Sequence, residues 1–172
     1  MTNQEILSYI RSVPDFPKKG ILFKDITTAL KNPEVFQAII DSLYQLVKDK
    51  HIDYIAAIES RGFILGAPLA YKLNVGLVII RKPGKLPAEV IRETYELEYG
   101  TDALEMHKDA LQKGKKVLII DDLLATGGTA KATYNLVKKT GAEVIGALFL
   151  IELAALSGSK NLPIPIYSLI QC

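Results

Sequence analysis

Cysteine is nearly absent from this chain: among 172 residues there is one, Cys172, at the last position. A single thiol cannot close an internal disulfide or build a metal cluster, which fits a reducing compartment. An excess of either charge is missing as well. The formal net charge of +2 is too small to argue for a nucleic-acid or membrane partner. No apolar run reaches the ~18 residues that a membrane-spanning helix needs. Met1-Thr-Asn-Gln-Glu5 lacks the basic and then apolar stretches of a secretory signal, so a cytoplasmic protein is expected. Internal repeats and low-complexity tracts are missing, and His51 and His107 fall outside every motif. What is present is ordinary globular material. Hydrophobic residues make up 49% and charged residues 23%, enough to expect one compact domain over residues 1–172.

Thr2 and Glu5 have capping-box spacing, and Ile6, Leu7 and Ile10 follow at helical intervals. That helix is expected to end near Ser12, because Pro14 and Pro17 cannot continue it. Ile21-Leu-Phe23 reads as a short strand or extended loop. Asn32-Pro33 is a cap followed by proline at the first helical position. Phe36, Ile39, Ile40, Leu43 and Val47 then form a buried helical face. Beyond it, strands alternate with helices. Tyr54–Ile58, Val75–Ile80, Val117–Ile120, Val144–Ile151 and Ile164–Ile170 are apolar strands, with helices over roughly 62–73 and 129–139. Continuous rather than alternating hydrophobicity marks strands covered on both faces. The pattern predicts an α/β fold, a single-domain open parallel sheet flanked by helices. Residues 82–116 break the rhythm, being polar and interrupted by Pro83, Gly84 and Pro87. A connection that long reads as a lid or binding loop.

The chemistry concentrates in Val117-Leu-Ile-Ile-Asp-Asp-Leu-Leu-Ala-Thr-Gly-Gly-Thr129. The strand is read as ending at Ile120, with Asp121 and Asp122 just past it. In open parallel sheets, ligands bind beyond that end of the strands. Gly127 and Gly128 let backbone amides approach a ligand closely, and free amides at a helix start favour an anion such as phosphate. Thr126 and Thr129 add hydroxyl donors. Phosphate repels the two carboxylates, so they suit a neutral, hydroxyl-bearing part of the same ligand, such as ribose. Piecewise, Thr-Gly-Gly-Thr is a common loop and helix cap, and paired aspartates are commonly a solvated edge or a metal site. No lysine follows the glycines as in the Walker phosphate loop. The ordered run after an apolar strand is what points to ribose 5-phosphate.

This run resembles the signature of the type I phosphoribosyltransferases, and its Leu-Leu-Ala spacer resembles the branch acting on adenine. Four further segments are similar to that branch: Pro14 to Ile26 to its base-binding segment, Glu59-Ser-Arg-Gly-Phe63 to its pyrophosphate loop, Arg81-Lys-Pro-Gly-Lys-Leu-Pro87 to its basic arm, and Tyr95-Glu-Leu-Glu-Tyr-Gly100 to its lid. The resemblance implies transfer of a phosphoribosyl group from 5-phosphoribosyl 1-pyrophosphate to adenine, giving AMP. It also implies an N-terminal base-binding hood (about 1–35), a flexible lid (about 83–100) and a homodimer. Asp121 and Asp122 would then hold the ribose hydroxyls, and Ala125, Thr126, Gly127, Gly128 and Thr129 the 5-phosphate. Ser60, Arg61, Arg81, Lys82 and Lys85 would meet pyrophosphate, with Arg81 reaching a neighbouring subunit. Leu22, Phe23, Lys24 and Leu153 would hold adenine, Phe23 and Leu153 sandwiching it. Glu98 would move the proton, and Tyr99 would help exclude water. Magnesium would ride mainly on substrate oxygens and water near Asp121 and Asp122, without direct protein ligands. The family further implies a cis Glu59–Ser60 peptide aiming an amide at pyrophosphate.

Lys19 and Lys24 depart from the family's usual proline and arginine at those places. Lysine lacks arginine's planar fork, so stacked or bidentate contacts are not expected there. Two rival readings share the sugar motif. One is a transferase for 6-oxopurines, disfavoured by the segment Phe16 to Ile26. The other is a non-catalytic sugar-phosphate sensor, disfavoured because the sheet starts by Tyr54 and leaves no room for a winged-helix domain.

Overall fold

Local capping fixes where the first helix begins. Thr2 Oγ1 accepts the Glu5 N–H at 3.2 Å, and the Glu5 carboxylate accepts the Thr2 N–H at 2.6 Å, the expected reciprocal box. The computed structural model, which describes residues 1–97 and 100–172, starts with this helix, α1 (Asn3–Ser8). It ends at Ser8 rather than near Ser12. The reason is a competing ladder: Arg11–Pro14 forms strand β1, antiparallel to β2 (Leu22–Asp25), with Arg11 opposite Asp25 and Pro14 opposite Leu22. The base of this ribbon is pinned by Asp25. The Thr27 hydroxyl and the Arg11 guanidinium hold its carboxyl down to about 2. A short helix α2 (Thr27–Leu30) leads to α3 (Pro33–Val47), where Asn32 Oδ1 accepts the N–H groups of Glu34 and Val35 at 3.0 and 3.2 Å. Ile39, Ile40, Leu43 and Val47 are buried as their spacing requires, joined by Val35, while Phe36 is half-buried.

The remainder is the doubly covered sheet. Strand β3 (Tyr54–Ile58), helix α4 (Arg61–Leu73) and strand β4 (Gly76–Ile80) are followed by the hairpin β5 (Val90–Glu96) and β6 (Thr101–His107). Then come β7 (Lys116–Leu124), α5 (Gly128–Lys138), β8 (Glu143–Glu152) and β9 (Ile166–Gln171). The five-stranded sheet runs β4-β3-β7-β8-β9 and every pairing is parallel. One face packs against α3 and α4 through Ile55, Leu65, Leu69 and Ile120. The other packs against α5 and the hairpin through Ile58, Ile80, Leu104, Met106 and Leu136. Each such fully buried side chain contributes about 1.5–3 kcal/mol, so both layers are driven onto the sheet.

Residues 82–116, read as a lid or binding loop, contain strands that the polar sequence does not announce: the register from Val90 opposite His107 to Glu96 opposite Thr101 makes an antiparallel ribbon. Leu104 and Met106 bury one face of β6, which explains why the ribbon lies on the core. Contrary to expectation, strand β7 does not stop at Ile120. Leu123 and Leu124 pair with Ile151 and Glu152 of β8, so Asp121 and Asp122 lie inside the strand. The ladder offered by β8 outweighs the polarity that breaks the apolar run.

Helix α4 approaches the sheet closely at two glycines of its inner face. A Cβ on Gly66 would stand 2.7 Å from Ala57 Cβ, and one on Gly62 would stand 3.0 Å from the Ile120 carbonyl oxygen and 3.1 Å from Asp121 Oδ1. This approach brings Arg61, at the start of α4, beside the aspartates of β7.

Candidate active site

Strands β3 and β7 are neighbours, yet α4 leads from β3 toward one edge of the sheet and α5 leads from β7 toward the other. Where successive crossovers diverge, a crevice opens at the carboxyl ends of the strands. A cavity of about 440 Å³ lies there. Its walls bring together Phe23 from the ribbon, Ser60 and Arg61 after β3, and Lys82 after β4. Asp121 and Asp122 of β7 and the whole turn Ala125, Thr126, Gly127, Gly128 and Thr129 complete them.

The two aspartates are under electrostatic pressure. Asp121 Oδ1 accepts the Asp122 N–H at 2.8 Å. Burial pushes the Asp121 carboxyl well above its ordinary range, and the neighbouring Asp122 charge adds to it. Burial raises Asp122 as well, against the opposing pull of Arg61. The Arg61 Nη2 atom lies 2.9 Å from Asp122 Oδ2, but off the line a hydrogen bond needs, so this buried oxygen has a charge beside it and no donor aimed at it. Arg61 also donates Nη1 to the Lys24 carbonyl at 3.1 Å and stacks 4.7 Å from the centre of the Phe23 ring. One guanidinium therefore ties the ribbon to the carboxylate pair.

The turn after β7 is built for close approach. Gly127 has φ +87°, and α5 begins directly after it with no side-chain cap, leaving backbone donors toward the cavity. Behind the turn sits Gly158, in a 3₁₀ turn that sequence reading passed over. A Cβ on Gly158 would stand 2.2 Å from the Ala125 carbonyl oxygen and 3.0 Å from the Gly127 nitrogen. Asn161 Nδ2 donates to the Thr126 carbonyl at 2.7 Å. A glycine so far along the chain gives no local signal of such a contact, and only the fold reveals it. Gly158→Ala must displace the turn, since overpacking of this kind forces backbone shifts. If the turn holds a sugar 5-phosphate as the resemblance implies, the variant's affinity for ribose 5-phosphate should fall about three- to tenfold by calorimetric titration. An unchanged affinity would show that the turn does not depend on this backing.

The basic arm after β4 divides between roles. Lys82 faces the cavity, where its ammonium pairs with Asp102 and lies 3.4 Å from the Tyr95 hydroxyl. Burial works against its charge, but these two hairpin partners outweigh it and its pKa is raised. Arg81 does not line the cavity. It donates Nε to Glu59 at 3.1 Å within the same chain, and Glu59 also accepts the Lys82 N–H at 2.8 Å. Lys85 is exposed and outside the cavity walls. The Glu59–Ser60 peptide is cis, as the resemblance implied.

Of the expected base-binding residues, Phe23 lines the cavity and is also met edge-on by Phe16, centroids 5.1 Å apart. Leu22 is exposed on the ribbon. The Lys24 ammonium reaches across to Ser12 Oγ at 3.0 Å. Leu153 follows β8 at the same end of the sheet, its N–H held by the Leu124 carbonyl at 2.9 Å, and is not among the cavity walls. Glu98 and Tyr99, the expected lid pair, lie outside the described residues.

The family model for the phosphoribosyl transferase domain matches residues 25–169. An adenine phosphoribosyltransferase of Geotalea daltonii is 53% identical over 169 residues, covering 98% of this chain and 99% of that protein. The crystal structure of the adenine phosphoribosyltransferase of Thermoanaerobacter pseudethanolicus superposes with a TM-score of 0.98 at 54% identity, covering 99% of this chain and 100% of the other. The Saccharomyces cerevisiae adenine phosphoribosyltransferase, solved with an imino-altritol bisphosphate and adenine, gives 0.92 at 42% identity, covering 97% of each chain.

Proposed function

The chain belongs to the phosphoribosyl transferase domain family, and on that premise we propose that it transfers the 5-phosphoribosyl group of 5-phosphoribosyl 1-pyrophosphate to adenine, giving AMP and pyrophosphate. It is a pentosyltransferase of purine salvage. The observation that carries this reading is similarity to adenine-specific relatives along nearly the whole chain, the β1–β2 ribbon included. The cavity geometry agrees with it, since Phe23 lines the same cavity as the carboxylate pair and the glycine turn.

We assign the 5-phosphate to the amides and hydroxyls of Ala125 through Thr129, where a helix start favours an anion. Asp121 and Asp122 take the ribose hydroxyls. Ser60, Arg61 and Lys82 face the departing pyrophosphate, with Lys85 reaching in from the arm. The bond to pyrophosphate breaks as a purine ring nitrogen attacks the sugar's anomeric carbon from the opposite side. Positive charge grows on the sugar ring and negative charge on the leaving group. Cations placed beforehand around the leaving group bind that state better than the ground state, which is the source of rate. Phe23 offers adenine a flat apolar face, and Leu22, Lys24 and Leu153 complete its surroundings as the ribbon settles onto the site.

Two adjacent carboxylates at the cavity wall, one with a buried oxygen that no donor addresses, suit a magnesium ion held mainly by substrate oxygens and water. When bound, it neutralises pyrophosphate charge. Two further parts of the proposal concern the whole molecule. The edge strand β4 exposes Leu77 and Ile79, and α4 exposes Ile64 and Tyr71. An apolar, unpaired sheet edge is a surface that proteins cover, in keeping with a homodimer. The exposed, unpaired Cys172 is in keeping with the cytoplasm.

The test is product analysis with magnesium, 5-phosphoribosyl 1-pyrophosphate and one base at a time from adenine, hypoxanthine, guanine and uracil. AMP from adenine, with little product from the others, is the expected result. Product mainly from hypoxanthine or guanine would keep the sugar site and overturn the base assignment. No product from any base, with sugar-phosphate binding intact, would point to a sensor.

A further inference from the structure

Glu105 is buried in the middle of β6, with only 5% of its surface exposed, and the mechanism above gives it no task. An unpaired carboxylate in such a place is costly, so its partners define what it does. Oε1 accepts Arg92 Nε at 3.0 Å, and Arg92 Nη2 stands 2.9 Å from the same oxygen as an ion pair. Arg92 is its cross-strand neighbour on β5, and this ion pair removes the cost of the buried charge. Oε2 is turned the other way and accepts the Gly84 N–H at 3.1 Å. Gly84 belongs to the basic arm that leaves β4.

The main chain of Glu105 grips the same arm. Its N–H donates to the Arg81 carbonyl at 2.7 Å, and its carbonyl accepts the Arg81 N–H at 2.9 Å. The arm is thus fastened at Arg81 by backbone and at Gly84 by the Glu105 carboxylate. Between them, Lys82 gives its N–H to Glu59 at 2.8 Å. Gly84 has φ +78° and open space where a side chain would stand. No side chain of Gly84 itself can anchor that turn, whereas its N–H is held by the Glu105 carboxylate. Lys85, the arm's second cation, follows directly.

We propose that Glu105 is a positioning residue for pyrophosphate. Its carboxylate fixes the Gly84 turn, and through it the direction in which Lys85 leaves the chain, while Arg92 keeps that carboxylate aimed. This rests on the reading of the arm as the pyrophosphate-binding element. Arg81 and Lys82 have their own anchors, so losing the Glu105 side chain loosens the far end of the arm and spares the base and ribose sites.

Glutamine tests the geometry. Arg92 and the Gly84 N–H address opposite oxygens of the Glu105 carboxylate, so in Glu105→Gln the amide oxygen meets one of them and the NH₂ group confronts the other donor. In the double variant Glu105→Gln with Arg92→Gln, the amide oxygen at position 105 can accept the Gly84 N–H while its NH₂ donates to the new amide at position 92. Calorimetric titration with magnesium pyrophosphate should show about fivefold weaker binding in the single variant, on the order of a weakened buried hydrogen bond. The double variant should return to within about twofold of the parent. Steady-state kinetics should show the same pattern in KM for 5-phosphoribosyl 1-pyrophosphate, with KM for adenine unchanged. Single and double variants that bind pyrophosphate alike would overturn the proposal, as would equal losses for both substrates. Lys82→Ala separates the premise from the inference. If that variant binds pyrophosphate like the parent, the arm reading itself fails; if it binds weakly and Glu105→Gln does not, only the positioning role fails.

Discussion

Asparagine in place of Asp121 is expected to give a protein that resists heat better and works far worse. Asp121 Oδ1 accepts the Asp122 N–H, a bond that an asparagine oxygen keeps, so the change removes charge with little change of shape. The catalytic cost follows from the lost anion. A hydrogen bond from a ribose hydroxyl to a charged acceptor is worth about 1.5–3 kcal/mol, so kcat/KM for 5-phosphoribosyl 1-pyrophosphate should drop roughly tenfold to a hundredfold. The stability gain follows from burial. The folded protein holds the Asp121 proton more tightly than the unfolded chain does, because burial and then the Asp122 charge raise its pKa. A raised carboxyl makes the native state lose stability as pH climbs from the unfolded value, ~3.9, through the raised folded value. Asparagine never incurs that loss. The melting temperatures of parent and variant should therefore be close near pH 4 and separate toward neutrality, the variant ahead by about 2–4 °C for each kcal/mol relieved in a chain of this size. Calorimetric scans across that range give the answer. A variant that melts earlier than its parent at neutral pH would mean that the carboxylate pair is not strained by its own charge.

Such strain marks a boundary in what the sequence discloses. Tyr54–Ile58 and Val144–Ile151 are legible as covered strands because their apolar runs are continuous, and Asn32-Pro33 announces α3 by chemistry that acts within a few residues. Asp121 and Asp122 mislead for the converse reason. Two aspartates look like the end of a strand, and only the neighbouring β8, paired at Leu123 and Leu124, shows that the ladder continues. The hairpin is hidden in a similar way. Val90–Glu96 is largely polar, and the buried partners Leu104 and Met106 carry meaning only once the core beneath them exists. At the site, the glycine turn is local and readable. The contacts that hold it are not: Gly158 behind Ala125, Asn161 on Thr126, and Arg61 joining Asp122 to Phe23 all join residues far apart in the chain. Sequence reading finds groups that would touch the substrate, whereas the groups that aim them need the fold.

On the proposal that Glu98 accepts the proton that adenine loses, Glu98→Gln is the variant that isolates the step. As the purine nitrogen bonds to the sugar carbon, a base must accept a proton, and a carboxylate near the ring is the simplest acceptor. Glu98 lies in the chain between β5 and β6. The residues that flank it are tied to the cavity: Tyr95 and Asp102 both contact the Lys82 ammonium, and Lys82 lines the cavity wall. Glutamine retains the size and loses the proton acceptor. Turnover should fall by about a hundredfold, the lower range for a lost general base, while KM for 5-phosphoribosyl 1-pyrophosphate stays within about twofold. The parent's rate should rise with pH as a carboxyl deprotonates, and that limb should vanish from the variant. Lys82→Ala, by contrast, should weaken the sugar substrate and keep the limb, since it removes a cation and leaves the base. Equal turnover in Glu98→Gln, or a pH limb that survives the substitution, would assign the proton to another group and leave the hairpin only its contacts with Lys82.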